Sequence, residues 1–124
     1  EKKRGRAKGT QNLKKKKMQE ANKKESFGEI INGSTPVLVD FTAAWCGPCK
    51  MMKPVLEELQ QRKGDQLRIL KVDIDKSPAA ANAFNVQSVP TLLLFQHGRQ
   101  LWRQSGVVQA GPLERIIEQH ITNK

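Results

Sequence analysis

The chain has 124 residues, of which 37% are hydrophobic and 27% charged, and it carries a net charge of +10 at pH 7. This length predicts one domain with a core that is stable without disulfide bonds. Two cysteines are too few for a disulfide-stabilised secreted scaffold, and no apolar run approaches the roughly 18 residues that span a membrane.

The positive charge is concentrated at the N-terminal end. Residues 1–25 contain eleven Lys or Arg and three Glu, whereas residues 26–124 contain eleven basic and nine acidic residues. Leu13 and Met18 are the large apolar residues of the first segment. We therefore expect residues 1–25 to form a basic tail, either disordered or loosely helical, and residues 26–124 to form the folded domain.

The function of this tail stays open between several interpretations. Its cations favour weak, non-specific contact with a polyanion or an anionic membrane surface, but it has no aromatic residue for base stacking. A solvated tail without a partner is the simpler interpretation. No hydrophobic stretch follows the charges, so the tail is not a complete secretory signal. The sequence does not begin with Met, so an export signal or anchor upstream of residue 1 stays an alternative.

The first half of the domain predicts helix, strand, helix and strand in that order. A capping box opens a short helix at 26–31, and 36–41 is an apolar, β-branched strand. The next helix follows at 46–63, with apolar residues at helical spacing, and 67–74 is the second strand.

The second half predicts a helix, a hairpin and a last helix. A Ser-Pro pair opens a helix at 77–85, because serine caps a helix and proline suits its first turn. Strands at 91–95 and 100–105 are joined by a short Gly-containing turn, and an amphipathic helix ends the domain at 111–121. This order predicts an α/β fold: a central mixed sheet of about four strands, flanked by helices on both faces.

Cys46 and Cys49 are spaced Cys-x-x-Cys and lie between a predicted strand and a predicted helix. In that context the pair is typical of a redox site. The helix N-terminus favours a thiolate, and the thiolate is the species that attacks disulfides. Half of a zinc site or two inert thiols are the alternatives; zinc normally takes four ligands, and His97 and His120 lie in distant elements, so we expect no metal.

Several motifs in order make residues 26–124 resemble the thioredoxin family. The matching residues are Asp40, the Trp-Cys-Gly-Pro-Cys-Lys run at 45–50, Lys71, Val89-Pro90-Thr91, Gly98 and Gly106. The resemblance implies a thioredoxin-like fold and a protein disulfide reductase. Such a protein is an electron carrier in cell redox homeostasis, with a dithiol that cycles through a disulfide.

The resemblance implies a role for each residue of the motif. Cys46, expected to be the more exposed cysteine, is the nucleophile that forms a mixed disulfide, and Cys49 is the resolving thiol. Gly47 allows close approach of the substrate and Pro48 stiffens the turn. This Gly-Pro pair resembles reducing members of the family.

Asp40 is a carboxylate in an otherwise apolar strand, so burial should raise its pKa. The resemblance implies that Asp40 accepts the proton of Cys49 and that Lys71 tunes Asp40. A satisfied structural carboxylate and a plain surface lysine are the alternative interpretations of these two residues.

The resemblance also implies a surface for substrate binding. It predicts a cis peptide bond at Pro90, which leaves the Val89 backbone free to pair with an extended substrate. Trp45, Ser105 and Gly106 would complete a flat apolar docking surface. For Pro90 the alternative is an ordinary trans loop proline.

Two departures from the family pattern carry expectations of their own. Thr42 stands where many thioredoxins have a second Trp, which makes the packing beside the site lighter. The family's first strand has no apparent counterpart, because residues 14–24 are polar and lysine-rich. We therefore expect four strands, with 67–74 at an exposed edge unless the tail or the 26–31 helix covers it.

The resemblance further implies the partners. They are disulfide-bearing client proteins and a thioredoxin reductase that recharges the dithiol with NADPH and its own flavin; this chain has no cofactor site of its own. We expect a monomer in the cytoplasm. A disulfide oxidase or isomerase, and a non-catalytic binding module delivered by the basic tail, are the alternative functions.

Overall fold

The computed structural model describes residues 18–20 and 26–121. These residues contain five strands: β1 (Met18–Glu20), β2 (Val37–Thr42), β3 (Arg68–Asp73), β4 (Thr91–Gln96) and β5 (Arg99–Ser105). They form one mixed sheet with the strand order β1-β3-β2-β4-β5. The β1–β3 and β3–β2 pairs are parallel, whereas β2–β4 and β4–β5 are antiparallel.

Helices cover both faces of this sheet, as the sequence predicts. In chain order they are α1 (Phe27–Ile31), α2 (Gly47–Lys63), α3 (Pro78–Ala83) and α4 (Ala110–His120), with a 3-10 turn at Gly64–Gln66. Alternation along β2 directs Leu38 to one face and Val39 to the other. The Leu38 face packs against α2 and α4, and the Val39 face packs against α1 and α3.

The four strands expected between residues 36 and 105 are present, but the expectation that the first strand is missing is wrong. Residues Met18–Glu20 form β1 and pair in parallel with Ile69–Lys71 of β3. β3 is therefore an interior strand over those residues and not an exposed edge. A three-residue strand is held by backbone hydrogen bonds to its neighbour, which the polar composition of the segment does not reveal.

The predicted tail at 1–17 and 21–25 lies outside the described residues, so a domain boundary at residue 26 stays a prediction. At residue 26 itself the expected capping box is present. The Ser26 side chain accepts the Glu29 N–H at 3.1 Å, and the Glu29 carboxylate accepts the Ser26 N–H at 3.2 Å.

The topology brings several chain segments to the end of the sheet at which the parallel strands terminate. Parallel strands β2 and β3 end there, and antiparallel β4 begins there with Thr91. Helix α2 starts five residues after β2, at Gly47. The cysteine pair therefore lies at the same end of the sheet as the ends of three neighbouring strands.

Candidate active site

Cys46 and Cys49 are joined by a disulfide, with their Cα atoms 5.4 Å apart. Cys46 is the N-cap residue of α2, and Cys49 lies in its first turn. Pro48 suits this first turn because its missing N–H would have no partner inside the helix.

The N-terminus of α2 acts directly on the sulfur of Cys46. Cys46 Sγ accepts the backbone N–H of Cys49 at 3.1 Å. Once the disulfide is reduced, this N–H and the helix dipole favour a negative charge on Sγ. The geometry therefore places Cys46 Sγ where a negative charge is stabilised.

The expected difference in exposure between the two cysteines is not found in the disulfide form. Cys46 is 4% exposed and Cys49 is 7% exposed. Cys46 belongs to a buried cluster with Ala43 and Cys49 that packs against Ile74 and Val89, and its Sγ lies 3.6 Å from the Val89 carbonyl oxygen. These neighbours come from distant parts of the sequence, which is why the motif alone misjudged the burial of Cys46.

Asp40 is buried in β2, directly opposite Lys71 of β3. Its Oδ1 has no hydrogen-bond partner among the described residues. Burial raises the pKa of Asp40 to about 6, and the nearby Lys71 ammonium opposes that rise. The sequence predicts this upward shift of the Asp40 pKa, and the shift brings the pKa close to neutral pH.

The Val89–Pro90 peptide bond is cis, the isomer expected from the resemblance. Hydrogen bonds hold this loop against the end of β5. Gly106 N–H donates to the Pro90 carbonyl at 2.8 Å, and Thr91 Oγ1 lies 3.0 Å from Ser105 Oγ. Gly106 has φ +94°, a conformation that favours glycine. Four predicted docking residues, 89, 90, 105 and 106, therefore lie together.

Trp45 is the fifth predicted docking residue, and 67% of it is exposed. Its indole Nε1–H donates to Asp75 Oδ2 at 2.8 Å. Sequence reasoning missed Asp75, although an acidic residue two positions after the end of β3 was a signal available near the site. The hydrogen bond orients an exposed aromatic ring beside Cys46.

Two kinds of site are not found among the residues that the structure describes. No group of three or more His, Cys, Asp or Glu side chains is placed to hold a metal ion in those residues. No helix within the described ranges is long and apolar enough to cross a membrane.

Comparisons with known proteins bear directly on this site. The family model "Thioredoxin" matches residues 17–119 of the chain. The chain belongs to the thioredoxin family. A match that starts at residue 17 includes β1, which supports the correction of the strand count.

Individual relatives support the same family assignment. The chain is 52% identical over 96 residues to a thioredoxin from Mycolicibacterium smegmatis, and this alignment covers 75% of the chain and 86% of the relative. A solved thioredoxin from Malassezia sympodialis has a TM-score of 0.73 at 31% identity, over 83% of this chain and 91% of that chain. The bifunctional thioredoxin reductase/thioredoxin from Mycobacterium leprae is 42% identical over 97 residues, or 78% of this chain and 21% of the relative.

Family membership and the Cys46–Cys49 disulfide together define the activity. This member of the family is a thioredoxin-type protein disulfide reductase, and Cys46 and Cys49 are its redox-active pair. The expectations for family, fold class and reaction type are therefore confirmed.

Proposed function

We propose that Cys46 is the nucleophile that reduces client disulfides. Its thiolate attacks one sulfur of the client disulfide, that S–S bond breaks, and the departing client sulfur takes up a proton. The product is a mixed disulfide between Cys46 and the client. The observation that carries this role is the N-cap position of Cys46, whose Sγ accepts the Cys49 N–H.

Cys49 resolves the mixed disulfide in the second step. Its thiol gives a proton to the Asp40 carboxylate, and the resulting thiolate attacks Cys46 Sγ. The second client sulfur leaves and is protonated, so the client gains two electrons and two protons while Cys46 and Cys49 become a disulfide. Support comes from Lys71, which lines a cavity together with Cys49 and interacts with Asp40.

The client binds as an extended segment beside the cis-proline. The Val89 N–H donates no hydrogen bond to another described residue, which leaves it free to pair with a client backbone. Trp45, Ser105 and Gly106 flank this position, and Gly47 and Pro48 allow close approach because both are exposed. A shared backbone contact explains how clients of different sequence are accepted.

A thioredoxin reductase recharges the pair, with electrons that pass from NADPH through the flavin of the reductase. The fusion of both activities in one relative, the bifunctional protein from Mycobacterium leprae, supports this partner. We propose that the chain acts as a monomer in the cytoplasm. The Gly47-Pro48 pair, which resembles that of reducing family members, fits the reduction of client disulfides in that compartment.

A coupled assay tests this function. The full chain is mixed with insulin, NADPH and a thioredoxin reductase, and NADPH consumption is followed together with the midpoint potential of the pair. We expect NADPH consumption that disappears in the Cys46→Ser/Cys49→Ser variant. The potential should be more negative than the glutathione poise, about −220 to −260 mV.

Two results would contradict the proposal. A potential at or above the glutathione poise would instead favour an oxidase or isomerase. Full biological function of the double-serine variant would favour a binding module without catalysis.

A further inference from the structure

A cavity of about 250 Å³ lies beside the active-site disulfide, and the proposed reaction leaves most of its lining unused. It lies between the first turns of α2 and the ends of β2 and β3. The lining residues that matter here are Thr42, Cys49, Lys50, Lys53, Lys71 and Asp73. None of the five docking residues around Val89 lines it, so the cavity is a separate surface that meets the docking surface at the disulfide.

Three lysines from two elements converge on this cavity. Lys50 and Lys53 are three residues apart on α2 and therefore lie on one side of the helix. Lys71 comes from β3. Lys50 and Lys53 are exposed and Lys71 is half-buried, so the ammonium groups are accessible to a ligand.

Among the described residues, carboxylates neutralise this charge only in part. Asp73 lines the cavity, but its Oδ1 accepts the backbone N–H groups of Asp75 at 2.8 Å and Lys76 at 3.3 Å, which commits that oxygen to the turn after β3. Asp40 is buried behind Lys71.

Ion pairs elsewhere do not involve the cavity either. Within residues 26–121, the ion pairs join Arg62 and Lys63 to glutamates of α2 and α4. Three lysines against two carboxylates, Asp73 and Asp40, leave the cavity with a net positive charge.

The small side chain of Thr42 helps to keep this cavity open. Thr42 ends β2, is half-exposed and lines the cavity. A tryptophan at this position would bring a large ring to that wall. The lining contains no aromatic side chain, so the cavity has no stacking surface for a base and suits a compact anion.

We propose that this lysine cavity binds a carboxylate side chain of the client protein, close to the client disulfide, and so selects clients with acidic residues there. Because the cavity is lined by Cys49, an acidic group bound in it lies next to the exchanging sulfurs. Charges at the rim of an interface mainly raise the association rate and give specificity. The proposal rests on the proposed function, since it names the clients of that reaction.

Two synthetic peptides test the proposal. Each contains one intramolecular disulfide; one has two Asp beside a cysteine, and the other has Asn at the same positions. The reduced full chain should reduce the acidic peptide about tenfold faster at low salt, and the preference should fall as salt rises. Lys53→Gln should lower the preference about threefold, and Lys53→Glu should abolish it.

Matched variants separate the cavity from general surface charge. Arg99→Gln removes one positive charge at the far end of the β4–β5 hairpin and should leave the preference unchanged. Thr42→Trp should remove the preference by filling the cavity. The proposal would be overturned if the wild-type protein reduced both peptides at equal rates. It would also be overturned if the Lys53 and Arg99 variants lost the preference for the acidic peptide to the same extent.

Hydroxyethyl disulfide, a small neutral substrate, tests the exchange chemistry separately. All these variants should reduce it at the wild-type rate. If the wild-type protein fails on this substrate, the proposed function itself has failed; if it succeeds while both peptides react equally, the fault lies with the lysine cavity alone.

Discussion

Asp40 shows how one buried carboxylate makes the stability of the protein depend on pH. Its folded-state pKa, about 6, lies above the ordinary value of 3.8 because burial disfavours the charged form. The protonated carboxyl therefore favours the folded state, and this contribution is complete below about pH 4. It is lost as pH rises through about 6, so at neutral pH a burial cost remains.

Replacement of Asp40 by Asn should therefore stabilise the protein most at neutral pH. A shift of about two pKa units corresponds to about 3 kcal/mol, which is the upper limit of the extra gain at pH 7 relative to pH 4. Urea unfolding of the oxidised Asp40→Asn variant and the wild type at both pH values measures it. An equal gain at pH 4 and pH 7 would contradict a buried, titrating carboxylate.

Gly98 is a position where the backbone requires glycine. It has φ +78° in the β4–β5 turn, and a Cβ there would collide with the side-chain oxygen of Asn32. Gly98→Ala should lower the free energy of unfolding by about 1–3 kcal/mol.

Gly28→Ala is a matched control for Gly98→Ala. Gly28 lies in α1, and a Cβ there would meet nothing within 4 Å. The Gly28→Ala variant should have an unchanged free energy of unfolding or one that is higher by about 0.5–1 kcal/mol. Thermal and urea unfolding compare the two variants, and equal losses would show that the turn is not the cause.

Arg103 connects two elements that lie on either side of the cis-proline loop. Its guanidinium, on β5, donates to the carbonyl oxygens of Phe84 at 2.5 Å and Asn85 at 2.7 Å. Those carbonyls belong to the two residues that follow α3, and Asn85 has a positive φ of 54°. The planar guanidinium thus donates to two backbone acceptors where the chain leaves the helix.

Arg103→Gln should destabilise the protein by about 1 kcal/mol, because both carbonyls lose a charged donor. Arg103→Lys should recover only part of that loss, since lysine keeps the charge but not the planar fork. Urea unfolding gives the values, with Arg99→Gln as a control for charge at the same strand. If lysine restored full stability, the charge and not the two-pronged contact would be responsible.

The elements also show what the sequence pattern could and could not predict. Helix α2 and strands β2 to β5 were predictable because apolar periodicity and the Cys-Gly-Pro-Cys turn mark them locally. β1 was not predictable in this way, since a short polar strand depends on pairing with β3. Ser77 shows the same limit, because it precedes α3 but makes no side-chain capping hydrogen bond.

Within the site, the same distinction holds between chemistry and surroundings. The redox pair and the direction of the Asp40 pKa follow from residue type and burial in an apolar strand. The burial of Cys46 against Val89 and the Trp45–Asp75 hydrogen bond depend on tertiary contacts over 43 and 30 residues. Such contacts have no local signature in the chain.

At the scale of the whole molecule, β1 covers one side of β3 and so protects the sheet. An uncovered strand edge is a template for pairing with another chain. Replacement of Met18, Gln19 and Glu20 by proline removes every backbone donor of β1 and leaves the basic residues of the N-terminal segment in place. We expect faster hydrogen exchange at 69–71 and greater self-association, seen by light scattering. Unchanged exchange at β3 would contradict a pairing that contributes to stability.

Trapping of the mixed disulfide tests the central claim, that Cys46 attacks and Cys49 resolves. Reduced Cys49→Ser and Cys46→Ser variants are incubated with a disulfide-bearing peptide, and the products are separated without reductant and identified by mass spectrometry. The account predicts a stable adduct of the peptide on Cys46 in the Cys49→Ser variant, and little adduct in the Cys46→Ser variant. An adduct that accumulates on Cys49 as readily as on Cys46 would contradict it.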